Sequence, residues 1–295
     1  MPALPPLPPF PESSMKRRDF LSTSAAGMVG LGAGSLAAPF PLEGAPEGTL
    51  PADPAGPGEA SDSARNRVPR ILLAGGGFGT SFIGYMAELT EKPRPRICFL
   101  PTATADRVER IMRWYEMCAP LEIEPHYQES FVSSYRMERS WEEVFLSMDG
   151  IVVSGGNTLN QQAIWRAQGI DEVLREAWNR GIVLGGASAG SLCWFEEGTT
   201  DSRPQRVTKM ECLGFLPGSH SPHYDAEEVR RPTYQRMIAS GELKPGWACD
   251  NDAGILFEGT EPRRFVATRE GAMVYYVRME GSQVVEDLHV PELIG

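Results

Sequence analysis

From residue 70 onward the chain repeats one pattern, a short unbroken apolar run that stops at glycine or proline, followed by a longer amphipathic stretch. Arg70 to Ala74 ends in Gly75-Gly76-Gly77, and Ile97 to Leu100 ends at Pro101. Ile151 to Ser154 ends in Gly155-Gly156, and Gly181 to Leu184 ends in Gly185-Gly186. Short continuous apolar runs of this kind predict strands buried on both faces. The stretches between them, notably Ala105 to Cys118 and Asn160 to Arg180, are predicted as helices. Strands alternating with helices predict an α/β fold with a mostly parallel sheet. Beyond about residue 250 the pattern changes: Gly254 to Phe257, Arg264 to Thr268, Met273 to Met279 and Gln283 to Glu286 are separated by turn residues without a helix between them. They predict an antiparallel C-terminal extension at one edge of the sheet.

The first 65 residues do not share this pattern. They hold 12 of the 25 prolines, and no aromatic residue occurs between Phe40 and Phe78. Lys16-Arg17-Arg18-Asp19-Phe20-Leu21 precedes a Gly/Ala-rich, mildly apolar run, and Ser35-Leu36-Ala37 offers small residues for cleavage. That order reads as an export signal over residues 1–38, with Met15 as an alternative start. Its paired arginines resemble a twin-arginine signal, which implies an exported, extracytoplasmic protein. Residues 39–65 are Pro, Gly, Ala, Ser and acid, too poor in apolar surface to offset their ordering entropy, and read as a linker. Residues 66–295 remain as a single catalytic α/β domain.

Composition excludes several functions. The formal charge is −11, and the part beyond residue 65 stays acidic, with 24 basic against 32 acidic residues, so no nucleic-acid partner is expected. No run is long and apolar enough to predict stable membrane insertion once the signal is removed. Cys98, Cys118, Cys193, Cys212 and Cys249 form no C-x-x-C pair and read mostly as small buried thiols.

Glycine-rich turns at the carboxyl ends of strands are where an open α/β sheet places its ligands. Gly186-Ala187-Ser188-Ala189-Gly190 follows the strand Ile182-Val183-Leu184 and precedes the apolar stretch Leu192-Cys193-Trp194-Phe195. This is a G-x-S-x-G elbow: the serine sits on a strained turn, so the residues two places away on either side must lack bulk, and a helix is expected directly after it. The turn Ser154-Gly155-Gly156-Asn157-Thr158 ends a neighbouring strand and offers backbone N–H groups of the kind an oxyanion hole needs. A serine nucleophile needs a base, and the candidates are His126, His220, His223 and His289. His220 and His223 lie close to Asp225, but Pro222 separates them and no third ligand cluster accompanies them, so neither metal nor cofactor is expected.

Together the turn at Ser154–Thr158, the elbow at Gly186–Gly190 and the segment Ser221-Pro222-His223-Tyr224-Asp225 resemble peptidase E and its cyanophycinase relatives over about residues 70 to 280. The resemblance implies a three-layer α/β/α sandwich related to class I glutamine amidotransferases, with serine in place of their cysteine. It implies Ser188 as nucleophile, His223 as general base, and the backbone N–H groups of Gly156 and Ala189 as the oxyanion hole. It favours Asp201 as the third triad member, with Glu196, Glu197, Asp225 and Glu227 as competitors. It implies a small aspartyl peptide as substrate, a β-aspartyl substrate being the cyanophycinase-like alternative. Arg231 and Arg230 are then the candidate carboxylate-binding cations, with Asn157 a further substrate contact. Two rivals use the same elbow. An esterase would place its acid farther along the chain, and a non-catalytic binding protein would be expected to lose a triad position.

Overall fold

The structure is a computed structural model and describes residues 68–295. The expected export signal and linker lie outside the described residues. The apolar runs form β1 (Arg70–Ala74), β2 (Arg96–Leu100), β3 (Glu124–Tyr127), β4 (Gly150–Val153) and β5 (Val183–Ala187), all parallel in the spatial order β1-β5-β4-β2-β3. Their lack of alternation reflects cover on both faces. Leu72, Ala74, Ile97, Phe99 and Val152 pack on one side with Phe82, Ile83 and Met86 of α1 (Thr80–Leu89) and Trp114 of α2 (Val108–Cys118). Ile71, Leu73, Leu100, Ile151 and Val153 pack on the other with side chains of α3 (Trp141–Phe145), α4 (Thr158–Gln168) and α5 (Ile170–Asn179). Each fully buried side chain of this kind contributes roughly 1.5–3 kcal/mol.

Two predicted helices are shorter than the sequence pattern suggests. The stretch from Asn160 to Arg180 is two helices, because Gly169 adopts φ 72° and ends α4 while opening α5. The stretch from Ala105 becomes α-helical only at Val108, since Ala105 and Asp106 are left-handed at φ 55° and 54°. The Asp106 carboxylate accepts from the backbone N–H groups of Ser130 and Phe131, which occupies it in a turn.

The larger departure is a second sheet. The elbow is followed by only one helical turn, α6 (Ala189–Leu192), and then by strand β6 (Phe195–Thr200). β6 pairs antiparallel with β7 (Thr208–Glu211) and parallel with β8 (Leu216–Ser221). Gly198 allows that approach, because a Cβ there would overlap the His220 carbonyl oxygen. After α7 (Arg230–Ala239), β9 (Gly246–Cys249) runs parallel to β8. β10 (Ala253–Glu258) and β11 (Glu261–Ala267) then return to extend the first sheet beside β1. β12 (Val274–Glu280) and β13 (Gln283–His289) extend the second sheet instead, and β14 (Glu292–Leu293) closes the edge of the first. The expected C-terminal extension is therefore divided between two sheets. Strands separated only by turns do not by themselves specify which sheet edge each one joins. One apolar cluster joins the sheets, with Phe195, Phe215, Leu216 and Val274 packed among the β1, β4 and β5 residues.

Candidate active site

β5 delivers Ser188 at its carboxyl end with φ 58° and ψ −116°. A non-glycine residue held there stores about 1–3 kcal/mol of backbone strain. The residues around it have to be small. A Cβ on Gly190 would overlap the Val153 carbonyl oxygen, and a Cβ on Gly155 would come within 3.2 Å of the Ser188 Cβ. Ser191 Oγ lies 2.8 Å from the Ser188 carbonyl oxygen and 3.0 Å from His220 Nε2. Its one proton serves one of these acceptors at a time.

The loop after β8 carries His223, itself left-handed at φ 54°. Its Nε2 lies 2.8 Å from Ser188 Oγ, and its Nδ1 lies 2.7 Å from Asn251 Oδ1. An amide oxygen can only accept, so Nδ1 carries the proton and Nε2 is left to receive the one on Ser188. Asn251 is fixed in turn. Its N–H donates to Asp225 Oδ1 at 2.8 Å, and Arg269 Nη2 donates to its carbonyl at 2.8 Å and to Asp225 Oδ2 at 2.6 Å. Gly76 bridges to Asn251 from the end of β1, and a Cβ on Gly76 would overlap Asn251 Oδ1 and lie 2.8 Å from His223 Nδ1. The third glycine-rich turn therefore lies against the histidine.

Ser188 and His223 are thus brought together, while Asp201 is not part of the set. The Asp201 side chain is 67% exposed and lies 4.0 Å from Arg230. The other carboxylates weighed against it are also engaged elsewhere. Glu196 accepts from Gly218 and Lys244, Glu197 pairs with Lys209, Glu227 pairs with Arg230, and Asp225 supports Asn251. Asn251 escaped the sequence reading because only acids were sought. Its signal was the polar run Asp250-Asn251-Asp252 between two apolar strands, at a strand's carboxyl end. The neighbouring Asp250 is buried, which pushes its carboxyl up to about 6, against the lowering effect of the Met273 N–H bond.

The expected arginines are also engaged elsewhere. The Arg230 side chain is 1% exposed, held by Glu227 and by the Thr199 carbonyl at 3.2 Å. Arg231 forms a forked pair with Glu286 and lies over the rings of Tyr224 and Tyr275. Asn157 caps α4, accepting from Asn160 N–H at 2.9 Å and donating to the Ser202 carbonyl. Ala189 opens α6, where a first-turn N–H has no intrahelical acceptor. Gly156, at φ 138°, packs against the Ala103 carbonyl, and Gly155 is the glycine whose Cα faces Ser188. His220 is wholly buried, stacked on Phe195 with Nδ1 donating to the Trp247 carbonyl, and burial pushes its imidazole down to about 3. It backs the Ser188 turn and does not join His223 in a ligand pair. All five cysteines are unpaired and buried.

Ser188 and His223 open into a cleft of about 340 Å³. Phe78, Phe99, Trp114 and Met117 form its apolar part, Gly76, Gly77 and Gly155 its backbone-lined end, and Arg110 and Arg113 supply its cations. Ser154 also lines it, with a buried hydroxyl that has no partner among the described residues.

A serine on a strained strand-to-helix turn, hydrogen-bonded to an oriented histidine on a mostly parallel sheet, defines a hydrolase of the serine type. The sequence model described as peptidase family S51 matches residues 71–264. The chain belongs to this family and is a peptidase. It is 40% identical over 222 residues to the "Uncharacterized peptidase YgaJ" of Bacillus subtilis (strain 168), covering 73% of this chain and 94% of that one. Among solved structures, a peptidase from an acI-B1 Actinobacterium superposes with a TM-score of 0.61 at 16% identity, covering 77% of this chain and 96% of that one. A putative peptidase E protein from Listeria monocytogenes EGD-e superposes at 0.50 and 18% identity, covering 66% and 97%. These two likenesses concern the fold.

Proposed function

We propose that the enzyme hydrolyses short peptides carrying an aspartyl residue at the scissile bond, through an acyl-enzyme on Ser188. The observation that carries this reading is the pair of hydrogen bonds through His223, 2.8 Å to Ser188 Oγ and 2.7 Å to Asn251 Oδ1. His223 Nε2 takes the Ser188 proton as Oγ attacks the carbonyl carbon, while Asn251 holds the ring in the required tautomer. The developing oxyanion would be held by the backbone N–H of Ala189 together with the Gly155-Gly156 turn, whose Gly155 lies beside Ser188 in the cleft. His223 returns the proton to the leaving amine, and water releases the acyl group by the reverse sequence. A cleft with two arginines favours a substrate that carries negative charge, against the enzyme's own −11.

The test is a panel of unblocked Asp-X, Glu-X, β-aspartyl and N-blocked peptides offered to the full chain. Cleavage confined to free N-terminal Asp-X supports the reading; turnover of β-aspartyl peptides or of acyl esters alone replaces it. The proposal extends to export through the twin-arginine-type segment. Arg17→Lys/Arg18→Lys should then hold the protein in the cytoplasmic fraction, and unchanged fractionation would remove export from the reading.

A further inference from the structure

α2 presents Arg110, Arg113, Trp114 and Met117 to the cleft, a spacing that sets all four on one helix face. Trp114 is fully buried against Phe99 with ring centroids 5.3 Å apart, so it fixes the angle at which the helix offers its arginines. Both arginines are exposed at the rim. Among the described residues Arg110 has no carboxylate within ion-pair distance, and Arg113 keeps only an exposed contact with Glu116 at 3.8 Å. The contrast with Arg230 and Arg231 is direct, since both of those already hold carboxylates. Uncommitted guanidinium groups beside an apolar surface suit a carboxylate, because nearby apolar walls reduce the screening that weakens such a pair in open water.

We propose that Arg110 and Arg113 bind a carboxylate of the substrate and set the preference for peptides that carry it; this rests on the peptidase reading above. The carboxylate has two possible sources in a short peptide, the aspartyl side chain or the free C-terminus. Three substrates separate them: Asp-Phe, Asn-Phe and Asp-Phe amide. With the full chain, loss of the bound carboxylate should lower kcat/KM by about 10- to 100-fold, chiefly through KM. Whichever amide carries that penalty identifies the source. In Arg110→Gln/Arg113→Gln the acid-to-amide ratio should collapse to within about 3-fold. Arg110→Lys/Arg113→Lys should keep an intermediate ratio, since lysine retains charge without the fork. Arg107→Gln, a nearby cation beside Glu109 that does not line the cleft, should leave the ratio intact. Equal turnover of all three substrates by the unsubstituted enzyme overturns the proposal, and the aspartyl preference with it, while leaving peptide hydrolysis at Ser188 standing. So does a double variant that loses acid and amide substrates by the same factor. An enzyme that cleaves no peptide and whose Ser188 resists a fluorophosphonate probe overturns both.

Discussion

The turn that holds Ser188 and the segments that hold His223 and Asn251 meet within hydrogen-bonding distance, yet they are built differently. The serine arm is local. A buried strand, a left-handed residue and small neighbours within two positions on either side produce it from nine consecutive residues, Ile182 to Gly190. The histidine arm is assembled from a distance. His223 follows β8, Asn251 follows β9 in the second sheet, Gly76 follows β1 in the first, and Asp225 and Arg269 brace Asn251. Positive-φ backbone holds both Ser188 and His223, but local sequence makes the first half of the site and long-range contact makes the second.

The comparison breaks most completely at its shared bond. Ser188→Ala should lower kcat by at least about 10⁴-fold with little change in thermal midpoint, read by peptide turnover and calorimetry. Gly76→Ala tests the histidine arm without replacing a reacting side chain. Its new Cβ collides with Asn251 Oδ1, so turnover should fall on the order of 10²- to 10³-fold while the far-ultraviolet spectrum stays that of the parent. Asn251→Ala removes the partner of Nδ1 and should cost about 10²-fold in kcat. Asn251→Asp should retain most activity but move the acidic limb of the pH–rate profile upward, because a carboxylate favours the charged imidazole.

A smaller effect concerns stability. His220 stays neutral in the folded chain to about pH 3, whereas an unfolded histidine titrates near 6.5. Between these values the unfolded chain binds the extra proton, so stability falls as pH drops below about 6.5, by up to about 1.4 kcal/mol per pH unit. Asp250 opposes this over part of the range, since its raised carboxyl binds a proton more readily folded than unfolded from about 6 down to 3.8. Urea midpoints of His220→Gln should therefore vary less steeply with acid than those of the parent over the window from about 3 to 6.5. Asp201→Asn should have the smallest effect, under about 2-fold in kcat/KM, because its side chain is exposed and takes part in neither His223 bond. A 10²-fold loss there would restore Asp201 to the triad.

The same difference explains what the sequence made legible. Strands β1, β2, β4 and β5 stand out as unbroken apolar runs because both faces are covered, and the elbow stands out because its steric demands fall on adjacent residues. The second sheet was not legible, since β6 and β8 are mostly polar residues and glycine and the strands pair through chain crossovers. The helix expected after the elbow lasts a single turn, and the register of Phe195–Thr200 against Leu216–Ser221 makes the next segment a strand. Arg230 and Arg231 were attractive by their distance from His223 in the chain, but partners decide whether a cation is available. Glu286 lies 55 residues from Arg231, beyond the reach of a local reading. The face of α2 carrying Arg110 and Arg113 was legible as spacing, but its relation to Ser188 depends on how the strands are ordered.

One consequence follows from Asn251 lying where the chain passes from β9 in the second sheet to β10 in the first. Asn251 also bridges to Gly76 at the end of β1, and the bond from His223 to Ser188 crosses the seam between the two sheets. Loosening of that seam separates proton acceptor from nucleophile while each sheet can still keep its own ladder. Turnover is therefore a more sensitive gauge of the seam than any spectroscopic measure of strand content. On gentle heating or in dilute urea, the chemistry should fail before the architecture does.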